Sequence, residues 1–476
     1  MNKILLLIIL LSISLTAGTQ STTVVAAQTT PNSVVKVFSA ISVPNYAYPW
    51  QTSRISKFTG SGAVIKDNQI LTSAHVVSSA KFIEVKKEND PNKYIANIKF
   101  ISHQADLAIL EVKDKSFFKD IQPLKLSENI KVRDAVTVLG YPIGGNTIST
   151  TSGIVSRIEY RRYVWSQFSL LAIQIDAAIN SGNSGGPVIN KDNELVGIAM
   201  MKINKSSNIG YIVPSLVVNT FLEDIKDGVV NGFHSDSITT QKINNDTLKK
   251  FYNLKNGNGI LVTHVGIDEN LLKVNDVILS VEGKKIANNN TIKTKYGRVN
   301  SDLGFHMKQI GKTIDLKILR NKKELTVKYK LKKVKPLIVH EFGKEPRYII
   351  YGGFTFAPLT KNYLRKIYNS SNGLNMLFYG KDKTKDYSEP VVSLHTIFPN
   401  KTNRGYKEGS NVLIKVNNIK VKNFKHLINI LDNIKEEYSV FEFLEKRKIV
   451  LSTKQAKESI VDIKTIYNIK NDRRID

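Results

Sequence analysis

One polar, glycine-rich stretch of the sequence has the composition of a nucleophile turn. Ser184 lies among Gly182, Gly185 and Gly186, between two apolar runs that are typical of strands. Glycine has no Cβ, so the backbone there can turn sharply and come close to a ligand. Backbone N–H groups in such a turn can converge on one point and stabilise an oxyanion, as acyl transfer by a serine requires. Taken alone, the stretch fits an ordinary surface turn equally well, because Gly, Asn and Ser dominate turns for local reasons.

Two residues upstream could supply a base and an orienting carboxylate. His75 follows an apolar, strand-like run, and a histidine can take the serine proton as a general base. Asp106 stands at the head of the apolar run 107–110, from where it could fix the histidine tautomer. The order His, Asp, Ser is that of chymotrypsin-type double barrels. We therefore expect His75, Asp106 and Ser184 to be catalytic, with the N–H groups of Gly182 and Ser184 as the oxyanion hole.

Other groups have weaker support. His103 lies three residues before Asp106 and is interpreted as a surface residue, whereas Asp176 is interpreted as structural support for the serine turn. A phosphate-binding P-loop is excluded, because no lysine follows Gly185 or Gly186. The chain has no cysteine, which excludes disulfides and thiol catalysis. No metal and no organic cofactor is expected.

The residues around the serine turn also suggest a specificity pocket. We expect the pocket for the substrate residue before the scissile bond to involve Ile179, Ile198 and Ala199. Because these side chains are apolar, the expected cleavage follows small or medium aliphatic residues.

Several motifs, taken in order, resemble the HtrA/Deg family of serine proteases. They are Thr59–Gly62, Thr72–Val77, Asp106–Leu110, Leu139–Gly144, Ser152–Ser156 and the serine turn. The segments Asn45–Gln51 and Gly353–Thr360 are most similar to the plant-type Deg proteases with two PDZ modules. The resemblance covers nearly everything after residue 27. It implies a mainly β fold, with a chymotrypsin-like double β-barrel followed by two α+β PDZ-like domains.

The length and composition fit several folded domains. A chain of 476 residues is too long for one core, and 41% hydrophobic with 23% charged residues is typical of a soluble folded protein. We divide the chain into a signal peptide (1–27), an N-terminal arm with the first strands (28–58), a serine protease domain (59–235), a first PDZ domain (236–335) and a PDZ-like second domain (336–476).

The first residues resemble a secretory leader. A basic start, Met1–Lys3, precedes an apolar run from Ile4 to Leu15 and a small-residue segment that ends at Ala27. The apolar run is shorter than the roughly 20 residues that span a bilayer. The expected location is therefore periplasmic or extracellular, with the protein soluble after cleavage.

The two C-terminal segments differ in how closely they resemble a PDZ domain. PDZ modules bind a peptide as an added strand, and Gly259, Ile260 and Leu261 are the candidate peptide-binding positions of the first. The second repeats the pattern weakly, with an amphipathic helix expected from Phe424 to Ile434. We expect this second domain to act in packing or assembly.

The resemblance also implies partners. These are unfolded or misfolded protein substrates, C-terminal peptides, and further copies of the chain in a trimer or hexamer. The N-terminal aromatic residues Tyr46, Tyr48 and Trp50 fit either the core and edge of the first barrel or a trimer interface. The alternative function is a chaperone or peptide-binding scaffold with latent protease activity.

The charge suggests one more class of partner. The formal net charge is +28, which invites binding to nucleic acid or to anionic surfaces. The basic residues are scattered along the chain, and no nucleic-acid recognition motif is present. No specific nucleic-acid partner is therefore expected, while weak contact with an anionic envelope surface stays open.

Overall fold

The computed structural model describes residues 31–51, 53–202, 209–235, 238–254, 258–267, 269–334, 336–367, 383–407, 409–444 and 446–476. The predicted leader lies outside these residues, as does most of the segment from Asn369 to Pro390, which the sequence indicates is an insert in the last domain. Across the described ranges, no helix is long and apolar enough to span a membrane.

The first barrel carries two of the three expected catalytic residues. Its strands close in the order β1-β2-β3-β6-β5-β4, and the one-turn helix α1 (Ala74–Val77) follows β3. β1 lies in the predicted N-terminal segment, yet it pairs with both β2 and β4 and so completes the barrel. The strands are β1 (Val34–Ile41), β2 (Ser56–Ile65), β3 (Gln69–Thr72), β4 (Ala80–Lys87), β5 (Tyr94–Ser102) and β6 (Leu107–Val112).

The second barrel carries the serine turn between β9 and β10. Its strands are β7 (Ala135–Gly140), β8 (Ser149–Arg162), β9 (Ser169–Ile175), β10 (Pro187–Ile189), β11 (Leu195–Lys202) and β12 (Gly210–Pro214). They close in the order β10-β11-β12-β9-β8-β7. Helix α2 (Ser215–Asp224) and a 3₁₀ turn (Ile225–Asp227) follow, where the sequence pattern over 216–227 also predicts a helix.

A third unit packs against the second barrel. Its sheet has the order β13-β14-β15-β19-β20, with β16 on β15 and a separate hairpin of β17 and β18. Its elements are β13 (Thr239–Lys242), α3 (Asp246–Phe251), β14 (Ile260–His264), β15 (Val277–Val281), β16 (Lys284–Lys285), β17 (Thr291–Thr294), β18 (Gly297–Asn300), α4 (Leu303–His306), β19 (Thr313–Arg320) and β20 (Lys323–Lys330). The sequence over 302–310 is compatible with a helix, but only the single turn α4 forms there, and Gly304 within it is a poor helix former.

The pairing of β14 bears on the predicted peptide site. Ile260 and Leu261 are paired with β13 on one side and with β15 on the other. A peptide strand needs an unpaired edge, so it could be added at these residues only by displacing β13. In the described sheet the outer edge belongs to β13, not to Gly259–Leu261.

The last unit is one larger sheet flanked by helices. Its order is β27-β26-β24-β23-β22-β21-β28, with β25 on β24. Its elements are β21 (Tyr348–Tyr351), β22 (Phe354–Pro358), α5 (Lys361–Lys366), β23 (Val391–Ile397), β24 (Asn411–Val416), β25 (Ile419–Lys420), α6 (Phe424–Asn433), β26 (Tyr438–Phe443), β27 (Lys448–Ser452), α7 (Thr453–Ile466) and β28 (Arg473–Arg474). Helix α6 matches the predicted amphipathic helix and buries Phe424, Leu427, Ile428 and Leu431 on one face. Together these units confirm the predicted fold class.

The N-terminal aromatic residues have a position that neither sequence interpretation anticipated. The Trp50 ring lies 4.7 Å from that of Phe398 and 6.4 Å from that of Tyr348, centroid to centroid. Tyr46 belongs to the same apolar cluster. These residues therefore attach the segment after β1 to the last unit within one chain, rather than filling the first barrel.

Candidate active site

Strand pairing in the first barrel brings His75 and Asp106 together. β3 and β6 are antiparallel, with Thr72 opposite Ala108. Continuing this register places Ala74 opposite Asp106, and the Ala74 N–H donates to the Asp106 carbonyl oxygen at 3.1 Å. A one-turn helix then projects His75 beside the carboxylate. The spacing seen in the sequence thus becomes a contact because the end of one strand faces the start of the other.

Asp106 binds His75 through both carboxylate oxygens. Oδ2 lies 2.7 Å from Nδ1 of the His75 ring, and Oδ1 accepts the His75 backbone N–H at 2.9 Å. The Asp106 side chain is buried, whereas that of His75 is 27% exposed. Burial by itself would lower the pKa of His75, but the charge and the hydrogen bond of Asp106 outweigh it, so the pKa is raised above its usual value. With Nδ1 donating to Asp106, Nε2 is left as the proton acceptor.

Asp106 has an unusual backbone conformation. Its φ is +55°, in the left-handed region that few residues other than glycine adopt. Aspartate is among the better tolerated residues there. The left-handed turn lies directly before β6 and directs the carboxylate toward His75. No sequence pattern indicated this conformation, because an Asp at a strand head need not be left-handed.

The serine turn needs glycine at two positions. Gly182 has φ +102° and Gly185 has φ +83°. A Cβ on Gly182 would clash with the Tyr141 carbonyl oxygen, and one on Gly185 would clash with Ser61 and Thr72. The turn is therefore packed tightly against the first barrel.

Ser61 joins the two barrels at this turn. Its N–H donates to the Ser184 carbonyl oxygen at 2.9 Å. Its Oγ donates to the Gly182 carbonyl oxygen and accepts the Tyr141 N–H, both at 2.8 Å. The position of Ser184 relative to the first barrel is therefore fixed by buried hydrogen bonds.

The Ser184 hydroxyl is not directed at His75. Its Oγ donates to the Met200 carbonyl oxygen at 3.3 Å. In the part of the chain that the structure describes, no hydrogen bond joins Ser184 to the His75 ring. Unliganded active sites often have loose catalytic hydrogen bonds that tighten only with substrate.

The backbone around Ser184 leaves two N–H groups available. The Ser181 carbonyl oxygen accepts the Ile143 N–H at 2.8 Å. In a trans peptide the N–H points opposite to the C=O, so the Gly182 N–H points away from Ile143. Within the described ranges, neither the Gly182 nor the Ser184 N–H donates to a protein acceptor. Both groups can therefore serve a ligand.

The predicted specificity-pocket residues lie in the second barrel. Ile198 and Ala199 belong to β11, and Ile179 precedes the serine turn; all three are buried. Ala199 pairs with the turn, since its carbonyl oxygen accepts the Gly185 N–H at 2.8 Å. Asp176 accepts the Ile154 N–H at 2.6 Å, a contact consistent with the support expected from it.

A cavity that the sequence did not reveal lies beside His75. Its volume is about 430 Å³, and it is lined by His75, Asp106 and Met200 together with residues from distant parts of the chain. Those residues are Ile41, Val43, Pro44, Tyr46, Phe58, Ser78, Ser79, Val164, Trp165, His340, Glu341, Phe342, Gly343 and Asn362. The segment His340–Gly343 leads into the last unit. No motif marks it, and nothing in the sequence links it to His75.

His103 contacts this segment instead of lying on the surface as expected. Its ring stacks on Phe342 with centroids 3.9 Å apart and planes 7° apart. Burial lowers the pKa of His103 to about 4, although the Asp106 charge opposes the shift. His103 is therefore neutral at pH 7. It supports the cavity wall and does not contact the proposed nucleophile.

Two family profiles match the chain. The profile described as a trypsin-like peptidase domain matches residues 60–198, which lie within the two barrels. The profile described as a PDZ domain matches residues 337–476, which form the last unit.

Relatives match over almost the whole chain. The mitochondrial protease Do-like 4 of Arabidopsis thaliana is 35% identical over 454 residues, or 94% of this chain and 85% of that protein. The chloroplastic protease Do-like 2 of the same plant is 33% identical over 455 residues, or 94% of this chain and 75% of that protein. The serine protease DegP homolog of Plasmodium falciparum is 30% identical, over 84% of this chain and 58% of that protein.

A solved structure shows the same fold over part of the chain. The HtrA-type protease AlgW with a tripeptide has a TM-score of 0.50 and 22% sequence identity. The match covers 63% of this chain and 94% of that one.

Proposed function

Since the chain belongs to the HtrA/Deg family of trypsin-like serine endopeptidases, we propose that His75, Asp106 and Ser184 form its catalytic triad. The observation that carries this proposal is the 2.7 Å contact between His75 Nδ1 and Asp106 Oδ2. The serine turn lies across the barrel interface and is fixed to the first barrel through Ser61.

The proposed mechanism assigns one role to each residue. The Ser184 hydroxyl turns from Met200 to His75 and attacks the scissile carbonyl, while His75 Nε2 takes its proton. Asp106 holds the His75 tautomer and stabilises the imidazolium. His75 then gives the proton to the leaving amine, and water releases the acyl group by the same route.

The developing negative charge would be bound by the turn backbone. The N–H groups of Gly182 and Ser184 form the proposed oxyanion hole, each worth about 3 kcal/mol of transition-state stabilisation. Ile179, Ile198 and Ala199 remain the proposed walls of the primary specificity pocket.

The proposed substrates are unfolded or misfolded proteins, and regulation through peptides belongs to the same proposal. An extended peptide would be added at the outer edge of β13, since β14 is paired on both sides. Assembly into a trimer or hexamer is likewise proposed from the family.

Targeting by residues 1–27 is a further part of the proposal. The basic start and the apolar run support export to the periplasm or the outside of the cell. The relatives include proteins named as mitochondrial and chloroplastic, so import into an organelle is the competing destination. Sequencing the N-terminus of the mature protein from fractionated cells distinguishes the two.

A latent protease that acts mainly as a peptide-binding scaffold is the second candidate. One observation favours it, which is that the Ser184 hydroxyl is bound to Met200 instead of His75. In this candidate, substrate cleavage appears only after a peptide or an assembly step has released the hydroxyl.

Casein hydrolysis by the purified protein and by Ser184→Ala tests both candidates. We expect hydrolysis by the natural chain and a loss of about 10⁶-fold in the variant, because the nucleophile is absent. Adding peptides with apolar C-termini identifies a latent enzyme, whose hydrolysis would appear only with them. Equal hydrolysis by both proteins would contradict the triad.

A further inference from the structure

The cavity beside His75 is apolar and continuous with the proposed catalytic centre. Met200 lines it, and the Met200 carbonyl oxygen is the acceptor of the Ser184 hydroxyl. Its volume of about 430 Å³ falls in the range typical of pockets that bind small organic groups. Most of its walls are aliphatic or aromatic side chains. A peptide lying across Ser184 would therefore pass the mouth of an apolar pocket.

We propose that this cavity is a substrate subsite that binds a bulky apolar side chain flanking the scissile bond. Phe342, which precedes the last sheet, is its specificity-determining wall. This inference rests on the proposed protease function, and it names a feature of the substrate that the triad alone leaves open. The ligand class is an extended polypeptide with an aromatic or branched aliphatic residue beside the bond that is cut.

Two polar atoms in the walls point to a peptide ligand. Trp165 Nε1 and His340 Nδ1 are buried and have no hydrogen-bond partner among the described residues. Indole nitrogen can only donate, so a carbonyl oxygen of a bound peptide would satisfy it. Buried polar groups normally have partners. Apolar walls with a few unsatisfied polar atoms suit a ligand that has both an apolar side chain and a polar backbone.

The segment His340–Gly343 is held in place by hydrogen bonds with Asn362 and Tyr46, which also line the cavity. Glu341 N–H donates to Asn362 Oδ1, and Asn362 Nδ2 donates to the Glu341 carbonyl oxygen, both at 2.8 Å. The Tyr46 hydroxyl donates to the Lys344 carbonyl oxygen at 3.0 Å. Two bonds at Glu341 and one at Lys344 therefore hold the chain on either side of Phe342, and the Phe342 ring stacks on His103 of the first barrel.

Aromatic rings of the first and second barrels pack against Phe342. His103 stacks on Phe342, and the Trp165 ring lies 5.7 Å from Phe342 and 6.1 Å from His75. The Trp165 loop is tied to the His103 loop, because the Ser166 hydroxyl donates to the Gln104 carbonyl oxygen at 3.0 Å. A side chain in the cavity would thus lie between Trp165, Phe342 and the His75 ring.

This subsite is separate from the primary specificity pocket. Ile179, Ile198 and Ala199 do not line the cavity. They lie in the second barrel, which contributes only Val164, Trp165 and Met200 to the cavity. The two sites would therefore bind the side chains of two different residues of one substrate.

The experiment measures kcat/KM for fluorogenic peptides with valine fixed before the scissile bond. Each neighbouring position carries Phe, Leu, Ala or Gly in turn. We expect the natural chain to prefer Phe or Leu over Ala about tenfold at one position, as apolar pockets do. In Phe342→Ala this preference should disappear, with little change for the Ala peptides. Phe251→Ala, at a 71% exposed phenylalanine of the third unit, is the matched control and should keep the preference.

Two results would overturn the inference. An unchanged preference in Phe342→Ala would show that Phe342 is not a wall. Faster cleavage of every peptide by Phe342→Ala would show instead that the segment blocks the site. In Trp165→Phe, which keeps a smaller aromatic ring and loses the N–H, we expect about a fivefold loss on all peptides, and no loss would exclude the hydrogen bond.

A binding measurement separates this inference from the proposed function. The chain has two tryptophans, so Trp50→Phe with Ser184→Ala leaves Trp165 as the sole tryptophan in a protein without the nucleophile. Its emission should shift with the Phe peptide and not with the Gly peptide. A shift without cleavage by the natural chain would retain the subsite and contradict the protease proposal. Cleavage without any shift would retain the protease proposal and contradict the subsite.

Discussion

The third unit and the last unit are both antiparallel sheets with short helices, but they contact the barrels in different ways. The third unit lies on the second barrel, where Tyr160 and His306 are joined at 2.8 Å and Gln309 donates to Thr220 at 3.1 Å. The last unit contacts the segment after β1 and extends Phe342 into the cavity beside His75. The segment His340–Gly343, which precedes the last sheet, accounts for this difference, because it lines the cavity beside His75 and the strands of the sheet do not.

Two units built from antiparallel sheets and short helices can therefore have different roles. The interface of the third unit includes part-buried hydrogen bonds and ring contacts among residues that do not line the cavity. That of the last unit includes a wall of the cavity itself. Changes in the first interface should affect stability, and changes in the second should affect substrate choice.

After the loss of the nucleophile in Ser184→Ala, the largest expected effect comes from Asp106, which belongs to neither unit. Asp106→Asn should lower kcat/KM about 10⁴-fold, because the amide cannot hold the His75 tautomer. In the natural chain, activity should rise with pH through a pKa above 6.5, since Asp106 raises the pKa of His75 and only neutral His75 is a base. The pH profile of kcat/KM measures both effects.

Asp67→Asn is the control for that variant, because Asp67 also has a left-handed φ of +63°. It should keep the natural activity and pH profile. If it lost as much activity as Asp106→Asn, the cause would be backbone conformation and not the contact with His75.

A smaller effect is expected at the interface of the third unit. His306→Ala should lower the free energy of unfolding by about 2 kcal/mol, because it removes the contacts of the buried His306 ring with the Tyr160 hydroxyl and the His234 carbonyl oxygen. The Phe-to-Ala peptide preference should stay unchanged, in contrast to Phe342→Ala. Urea unfolding and the peptide series measure the two quantities. His264→Ala, on an exposed histidine, should change neither.

Acid should selectively destabilise the packing of the segment His340–Gly343, which forms the cavity wall. Burial lowers the pKa of both His103 and His340 to about 4, and Arg365, His103 and Lys361 add to the effect on His340. Both bases are thus neutral when folded, and their ordinary pKa is 6.5. The unfolded chain binds more protons between these values, so stability falls as pH drops from about 6.5 toward 4.

Hydrogen exchange of residues 337–346 at pH 7 and pH 5 measures this loosening. His103→Phe, which keeps the stack and removes the titration, should reduce the difference between the two pH values. An identical difference in the variant would show that His103 is not responsible.

The smallest effect is expected from the exposed ion pair of the third unit. Lys295 lies 2.8 Å from Glu128, and the Lys295 side chain is 57% exposed. Such pairs contribute about 0–1 kcal/mol, so Lys295→Met should leave both the unfolding midpoint and peptide preference almost unchanged. A loss as large as that in His306→Ala would mean that this contact, rather than the buried one, holds the third unit.

Local patterns in the sequence predicted most of the elements. Apolar runs separated by glycine and polar residues marked the strands of both barrels, and the 3.6-residue period of Phe424, Leu427, Ile428 and Leu431 marked helix α6. The sequence over 302–310 is compatible with a helix, but only the single turn α4 forms there, because Gly304 disfavours the helix. The peptide positions Gly259–Leu261 followed from the PDZ resemblance, which did not reveal that β13 already pairs there.

The sequence by itself determined which groups could do chemistry. A serine among glycines, a histidine and an aspartate in that order define an acyl-transfer set, and the fold brings His75 and Asp106 into contact. Only the tertiary structure decided what surrounds them. Phe342 and His75 are far apart in the chain, and their proximity depends on how the last unit packs, which involves many weak apolar contacts with no local signature. Short sequence motifs identify the catalytic residues, whereas the shape of a cavity between units depends on the whole fold.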